Sequence, residues 1–323
     1  MDTYGQTKVI AIVGPTASGK TALAIEIAKK YNGEILCVDS RTIYKGMDIG
    51  TAKPKGKWQK YGSLISEEIV HWGLDLVLPD QIYSAGLFKI YATKIIEEIV
   101  ARGHIPVLVG GTGLWFDVIL GNLALPQIEP NIDLRKELEI KNTKDLFNLY
   151  KLLDPEGALK IDSNNPRRLI RAIEVCKLSG QPFSKFQKKQ NSNYCVLWLG
   201  VEVPRNELYN RINTRVEEMI KEGLEEEVED LVNKYGFDAP GMMGIGYREW
   251  VGVWSPKIGV RSQTLSALRF PLSNHINIIE MIQKHTRHYA KRQMTWFKKN
   301  KEIYWVKERN KAFRLIEGFL GKE

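Results

Sequence analysis

The stretch Lys8-Val-Ile-Ala-Ile-Val-Gly-Pro-Thr-Ala-Ser-Gly-Lys-Thr21 decides the fold. Its first six residues form an apolar, β-rich run that stops at a glycine, which reads as a buried parallel strand. Gly14, Pro15, Thr16, Ala17, Ser18, Gly19, Lys20 and Thr21 then fit the pattern G-x-x-x-x-G-K-[ST]. From Thr21 to Tyr31, Leu23, Ile25, Ile27 and Ala28 stand among charged residues and predict a helix. Strand, glycine-rich turn and helix in this order form the context in which the pattern has physical meaning. Glycines let backbone N–H groups turn inward, and the helix N-terminus adds partial positive charge, so the turn suits a phosphate chain. Lys20 can reach outer phosphate oxygens, and the Thr21 hydroxyl can hold Mg2+.

Further along the chain, Glu34-Ile-Leu-Cys-Val-Asp39 predicts a second buried strand. Ser84 to Arg102 predicts an amphipathic helix, with Leu87, Tyr91, Ile95 and Ile99 four apart, Ser84 as N-cap and Gly103 at its end. Ile105-Pro-Val-Leu-Val109 predicts a third strand, running into Gly-Gly-Thr-Gly. This alternation is that of an α/β fold, a P-loop NTPase-like core around a parallel sheet. Near Leu123 the chain turns polar and helical in rhythm, punctuated by Pro126, Pro130, Pro155 and Pro166, and Tyr194 to Val203 returns to a strand pattern. The expectation is a core of 1–122 and 194–323 with a mainly helical insertion at 123–193. Asn206 to Tyr235 reads as one long helix with Leu208, Ile212, Val216, Met219 and Ile220 on a stripe, while Val251 to Asn277 has no clear period and is left unassigned.

The chain has 323 residues, about two domains' worth, and its 43% apolar and 26% charged residues exclude a disordered or fibrous protein. No run approaches the roughly 18 apolar residues of a spanning helix. The opening MDTYGQTK carries no apolar signal region, so neither secretion nor a membrane is expected. Cys37, Cys176 and Cys195 lie far apart without a C-x-x-C pair, which argues against zinc and fits a reduced, cytoplasmic compartment. The net charge of +9 favours polyanionic partners. It is unevenly placed: Met281 to Lys301 holds seven Lys or Arg and no acid, and Glu217 to Asp230 holds eight acids and one lysine. The acidic run is expected to face solvent, away from any nucleic acid.

A phosphate-binding loop does not say which reaction follows. Asp39, at the end of the second strand, fits a metal-side carboxylate, a base aimed at a substrate, or a turn cap. Asp39-Ser-Arg-Thr-Ile-Tyr-Lys-Gly-Met-Asp-Ile-Gly-Thr-Ala-Lys-Pro54 is more particular. So are His71-Trp-Gly-Leu-Asp75, Val109-Gly-Gly-Thr-Gly-Leu-Trp-Phe116, Pro166-Arg-Arg-Leu-Ile-Arg-Ala-Ile-Glu174, Arg211-Ile-Asn-Thr-Arg-Val-Glu-Glu-Met219, Gly246-Tyr-Arg248 and Tyr289-Ala-Lys-Arg-Gln-Met-Thr-Trp-Phe297. In this order they closely resemble the tRNA dimethylallyltransferases, over roughly residues 8 to 300. The chain departs from the usual pattern at Trp72, where the family often has a second histidine, and at Met243-Gly244 before Gly-Tyr-Arg.

The resemblance implies transfer of a dimethylallyl group from dimethylallyl diphosphate to N6 of the adenosine 3′ of the anticodon, by a cytoplasmic, monomeric enzyme using Mg2+. It implies Asp39 as base and Thr112 as the hydroxyl that orients the amine. Arg211 and Arg215, one helical turn apart, would join the loop in holding diphosphate. The anticodon stem-loop would meet Asp39, Ser40, Arg41, Thr42 and Thr112 in the core and Arg135, Arg167, Arg168, Leu169, Ile170 and Arg171 in the insertion. It would also meet Gly246, Tyr247, Arg248, Lys291, Arg292, Gln293, Trp296 and Lys298 towards the C-terminus, where at least one of Trp296 and Phe297 is expected to be core. Three rival readings share these residues: a P-loop small-molecule kinase, a prenyltransferase acting on free adenine nucleotides, and a non-catalytic RNA-binding protein.

Overall fold

The structure is a computed structural model that describes residues 6–60, 62–121, 123, 126, 128–186, 192–251 and 275–321. The unassigned segment at 251–277 falls largely outside them. The chain divides into two compact units, Met1–Phe116 with Asn193–Glu323, and Asp117–Ser192.

The first unit is built on one eight-stranded sheet in the order β3-β4-β5-β2-β6-β1-β7-β8. The strands are β1 (Thr7–Val13), β2 (Gly33–Val38), β3 (Lys57–Trp58), β4 (Leu64–Ser66), β5 (Ile69–Trp72), β6 (Ile105–Gly110), β7 (Tyr194–Val201) and β8 (Tyr304–Val306). From β5 to β8 every pairing is parallel, and the β3-β4-β5 edge is antiparallel. The run Val9–Val13 is buried throughout, as is all of β2. Strands that lose water on both faces need no polar alternation, which is why they read as continuous apolar runs.

Helices cover both faces. Ile10, Ile12, Ile35, Val107 and Val109 share one cluster with Leu23 and Ile27 of α1 (Lys20–Tyr31). Ala312 and Ile316 of the C-terminal helix Arg309–Leu320 close the same cluster. Helix α2 (Ala85–Ala101) starts at Ser84, whose hydroxyl accepts the Leu87 amide, so the expected cap is the observed one. Its Phe88 stacks on Trp115 with ring centroids 4.1 Å apart.

The second unit begins inside α3 (Gly113–Ile119), ahead of residue 123. It packs α4 (Ile132–Glu139), α5 (Thr143–Leu153), α6 (Pro155–Ala158) and α7 (Pro166–Ser179) around Leu138, Leu146, Tyr150, Leu169 and Ile173. Pro155 and Pro166 stand in the first turns of their helices, where the missing N–H costs nothing.

Three parts of the fold differ from the sequence reading or lie beyond it. The long helix expected over Asn206–Tyr235 is two, α8 (Arg205–Lys221) and α9 (Leu224–Tyr235). Gly223, at φ 99°, breaks it, because the left-handed conformation ends one helix and turns into the next. Strands β3 to β5 have two, three and four residues, too short to show a period. The final strand and helix, β8 and Arg309–Leu320, complete the sheet edge and its cover.

A buried carboxylate fixes the far end of β2. Glu34 accepts bonds from Arg102 Nε (2.8 Å) and Nη2 (2.9 Å) and from Trp72 Nε1 (2.6 Å), and lies 2.6 Å from His104 Nδ1. Burial opposes its charge, yet the bonds from Arg102, Trp72 and His104 outweigh burial and hold the carboxyl below the usual glutamate range. A depressed folded-state pKa gives stability that is full above the unfolded pKa and is lost as pH falls through the folded one. Glu34→Ala should therefore cost about 3 kcal/mol, since it strands the partners of a buried charge. Melting curves at neutral and acid pH check this: the gap between wild type and variant should narrow towards acid.

Candidate functional site

The level of the strand ends builds the site. Val13 pairs with Gly110, and Gly110 pairs with Val38, so β1, β6 and β2 stop side by side at their carboxyl ends. Because β6 lies between β1 and β2, the turn after it, Gly111-Thr112-Gly113, lies between the phosphate loop and Asp39. Open parallel sheets place their ligands at this edge.

The phosphate loop is shaped by backbone that few residues tolerate. Ala17 and Gly19 stand at φ 60° and 89°, and α1 opens at Lys20 without a side-chain cap. Its first-turn amides thus remain for an anion. Ser18 Oγ is buried and has no hydrogen-bond partner, an orphan polar atom suited to a phosphate oxygen. Lys20 Nζ donates to Pro15 O at 2.8 Å. Burial lowers the Lys20 pKa to about 8, against the attraction of Asp39 and with the repulsion of Arg215. Arg215 is itself pushed down by burial. Arg211 Nη1 lies 4.0 Å from where a Cβ on Gly19 would be, and its guanidinium also pairs with Glu207. Both arginines expected at diphosphate therefore stand at the loop.

Asp39 has two aspects. Its Oδ1 accepts the Arg41 amide at 2.8 Å, so it does cap its own turn. Burial also pushes its pKa up, against the opposing pull of the Arg41 amide and of Lys20. Thr112 Oγ1 accepts the Ser40 amide at 3.1 Å, which ties the β6 turn to the β2 turn. The Tyr289 hydroxyl bonds with Thr112, and burial beside Asp39 raises its pKa well above the usual tyrosine range. Arg41 Nη1 donates to Pro240 O at 3.2 Å, and Thr42 Oγ1 to Asp39 O at 3.5 Å.

The helix α10 (His275–Phe297) borders this edge. Tyr289, Gln293 and Phe297 recur every four residues. Gln293 is buried and Phe297 packs edge-on to Phe116, so the expected core aromatic is Phe297. Trp296 is 38% exposed, and a Cβ on Gly113 would collide with its ring. Lys291, Arg292, Lys298 and Lys299 are exposed, with Lys299 Nζ 5.9 Å from the Trp296 ring centroid.

Several residues expected at RNA are engaged otherwise. Gln293 Nε2 donates to Gly111 O (3.0 Å) and its Oε1 accepts the Thr16 amide (2.9 Å), so it braces loops rather than facing outward. Tyr247 is fully buried, its hydroxyl donating to Glu227 Oε1 at 2.7 Å. Gly246 N and Arg248 Nε both donate to the buried Glu249. In the second unit, Leu169 and Ile170 point into the core, because the phase of α7 sets them on its apolar stripe. Arg135 grips Glu174 with two 2.8 Å bonds, and Arg171 bonds Glu174 and Ile128 O. Of that group, Arg167 and Arg168 are exposed, while Arg135 and Arg171 are half-buried.

The acidic run is not wholly solvated either. Glu227 accepts the amides of Asp48 (2.9 Å), Ile49 (2.7 Å) and Gly50 (3.1 Å), so it shapes the loop that follows Asp39. Lys53, nearly buried, holds the same loop through Asp48, Asp75 and Tyr44 O. Sequence reading missed the bracing roles of Glu227, Lys53 and Gln293. Only the four-residue repeat from Tyr289 to Phe297 carried a signal for the last of them.

Among the described residues no three His, Cys, Asp or Glu side chains gather to hold a metal. The Thr21 hydroxyl, exposed in the first turn of α1, offers a hard oxygen donor at the loop. Such a donor fits Mg2+, which keeps waters and takes its remaining ligands from phosphate. No helix among the described residues is long and apolar enough to cross a membrane.

Comparison with known proteins accords with this geometry. A family model described as IPP transferase matches residues 42–300. A tRNA dimethylallyltransferase of Acetivibrio thermocellus is 42% identical over 307 residues, covering 92% of this chain and 91% of that one. One of Oceanobacillus iheyensis is 38% identical over 308 residues, covering 93% and 90%. A solved tRNA delta(2)-isopentenylpyrophosphate transferase of Staphylococcus epidermidis superposes with a TM-score of 0.65 at 36% identity, covering 98% and 99%. A eukaryotic dimethylallyltransferase solved acting on tRNA gives 0.74 at 26% identity, covering 93% of this chain and 74% of that one. These relatives carry the P-loop NTPase-like fold and do not favour the kinase reading. The chain belongs to the tRNA dimethylallyltransferases of the IPP transferase family.

Proposed function

We propose that this enzyme moves the dimethylallyl group of dimethylallyl diphosphate to N6 of the adenosine 3′ of the tRNA anticodon, with Asp39 as base and the phosphate loop as holder of the leaving diphosphate. The observation that carries the reading is the edge β1-β6-β2, which sets an anion cradle and a half-buried carboxylate on either side of Thr112.

The chemistry follows from charge. As the carbon–oxygen bond of the donor breaks, negative charge grows on the diphosphate. The α1 amides, Ser18 Oγ, Lys20, Arg211 and Arg215 are aimed where that charge appears, and preorganised donors stabilise it most there. Mg2+, held by Thr21 and phosphate oxygens, would add further charge neutralisation. The adenine amine is a poor nucleophile, and a carboxylate that accepts its proton as the N–C bond forms removes the positive charge. Burial raises the Asp39 pKa towards the operating range, which makes it a stronger base than a solvated aspartate. A target base stacked in the anticodon loop must be turned out to reach this carboxylate. The exposed Lys291, Arg292 and Lys298, with Arg167 and Arg168 of the second unit, supply charge for RNA phosphates. A tRNA substrate and the free thiols of Cys37, Cys176 and Cys195 support a cytoplasmic enzyme.

Asp39→Asn keeps the shape of the side chain but cannot take a proton. Transfer measured with labelled donor and unmodified tRNA should fall by about a hundredfold or more while tRNA affinity holds. The wild-type rate should rise with pH through a midpoint above the ordinary aspartate range, and near-normal turnover in the variant would remove Asp39 from the base role. Lys20 must be charged to hold diphosphate, and its pKa in the free protein is about 8. Between about pH 7 and pH 9, pyrophosphate affinity of the wild type should therefore decline relative to Lys20→Ala, approaching about tenfold per unit above the pKa. Calorimetric titration of both proteins gives that ratio, and a constant ratio would contradict it. Replacing Lys291, Arg292 and Lys298 with alanine should weaken all tRNAs alike and lower the slope of log affinity against log salt by about one per lost phosphate contact. An unchanged slope would place these side chains away from RNA.

A further inference from the structure

The side chain of Gln293 bonds both of the loops on which the reaction depends. Its Oε1 accepts the Thr16 amide at 2.9 Å, inside the phosphate loop. Its Nε2 donates to Gly111 O at 3.0 Å, the residue before Thr112. It is 5% exposed and lies on the inward stripe of α10, between Tyr289, which bonds Thr112, and Phe297, which packs on Phe116. The same helix presents Lys291 and Arg292 outward, and Lys298 follows directly on its end. One helix thus offers charge on one side and clamps the reacting groups on the other.

We infer that Gln293 is a positioning residue for the transfer, fixing the distance between the diphosphate held by the loop and the amine held at Thr112, rather than a contact to RNA. The amide side chain is the group that fits, since the site needs one acceptor and one donor from a single uncharged end. A carboxylate would set a negative charge beside the diphosphate, and a lysine has no acceptor. Glycine at 111 belongs to the same device, because a Cβ there would collide with Gln293 Nε2. Losing the clamp leaves every group that touches substrate in place but relaxes their separation, and proximity effects decay steeply with such misplacement.

The inference rests on the prenyl-transfer reading, so its test has one arm that needs no turnover. Gln293→Met keeps length and apolar volume but removes both bonds. Hydrogen exchange over Gly14–Lys20 should become faster in the variant, and pyrophosphate should bind more weakly. In the transfer assay kcat should drop by about tenfold or more, with the tRNA dissociation constant and its salt slope unchanged. Gly111→Ala, with Gln293 intact, should shift the same quantities in the same direction, and Gln293→Glu, which can accept from Thr16 but not donate to Gly111, should not restore kcat. Loss of tRNA affinity in Gln293→Met with pyrophosphate binding and exchange unchanged would return the residue to RNA recognition and overturn the inference. Unchanged exchange and unchanged kcat, in a wild type that transfers normally, would overturn it as well. Failure of the wild type to transfer would count against the function alone, because exchange and pyrophosphate binding still report on the clamp.

Discussion

Three strands that end level with one another carry this molecule's chemistry. Val13, Gly110 and Val38 share one register line, and whatever follows them must emerge at the same height and about one strand spacing apart. The chain uses that coincidence three times, for an anion cradle, for a hydroxyl-bearing turn and for a carboxylate. The pairing of β6 between β1 and β2 is therefore a functional constraint as much as a topological one. A different strand order would keep each motif intact and separate them by another strand.

The second requirement is that these turns hold still without a bound ligand. They are held from outside. Gln293 and Tyr289 reach in from α10, Ser40 and Thr112 tie two turns to each other, and Lys53 and Glu227 shape the loop beyond Asp39. These are mostly bonds to backbone amides and carbonyls of turns, groups that no regular strand or helix satisfies. Each unit also has a buried carboxylate in an arginine grip, Glu34 with Arg102 and Glu174 with Arg135. The first fixes the start of β2, the strand that leads to Asp39, and the second ties α4 to α7 within its own unit.

Much of this was legible in the sequence where local chemistry dictates local structure. Lys8 to Thr21 announced a strand, a turn and a helix, and Ser84 announced its cap. The motif order from Asp39 to Phe297 pointed to the family. Long-range choices were not legible. Nothing in Leu64–Ser66 or Tyr304–Val306 shows that so few residues will find a sheet edge, because pairing partners and not periodicity make them strands. A polar residue in a motif reads as a ligand contact by default, and so Gln293, Tyr247, Arg135 and Arg171 were all expected at RNA. What distinguishes a bracing amide from a reaching one is the position of its partners, 182 residues away in sequence for the bond from Gln293 to Gly111. Glu227 hid in a run of acids for the same reason.

The glycines of the β6 turn leave a mark on how this enzyme can change over generations. Gly110, Gly111 and Gly113 each face a different obstacle at the Cβ position, the Val38 carbonyl, the Gln293 amide and the Trp296 indole. A side chain at any one of them would require its own partner, on β2 or on α10, to give way. Single steps there are closed, so the acceptor side of the site is frozen in a way its surroundings are not. Drift in which donors or which RNAs the enzyme favours has to accumulate elsewhere, as on the outward face of the basic helix, where Lys291 and Arg292 meet solvent and one substitution can be tried at a time.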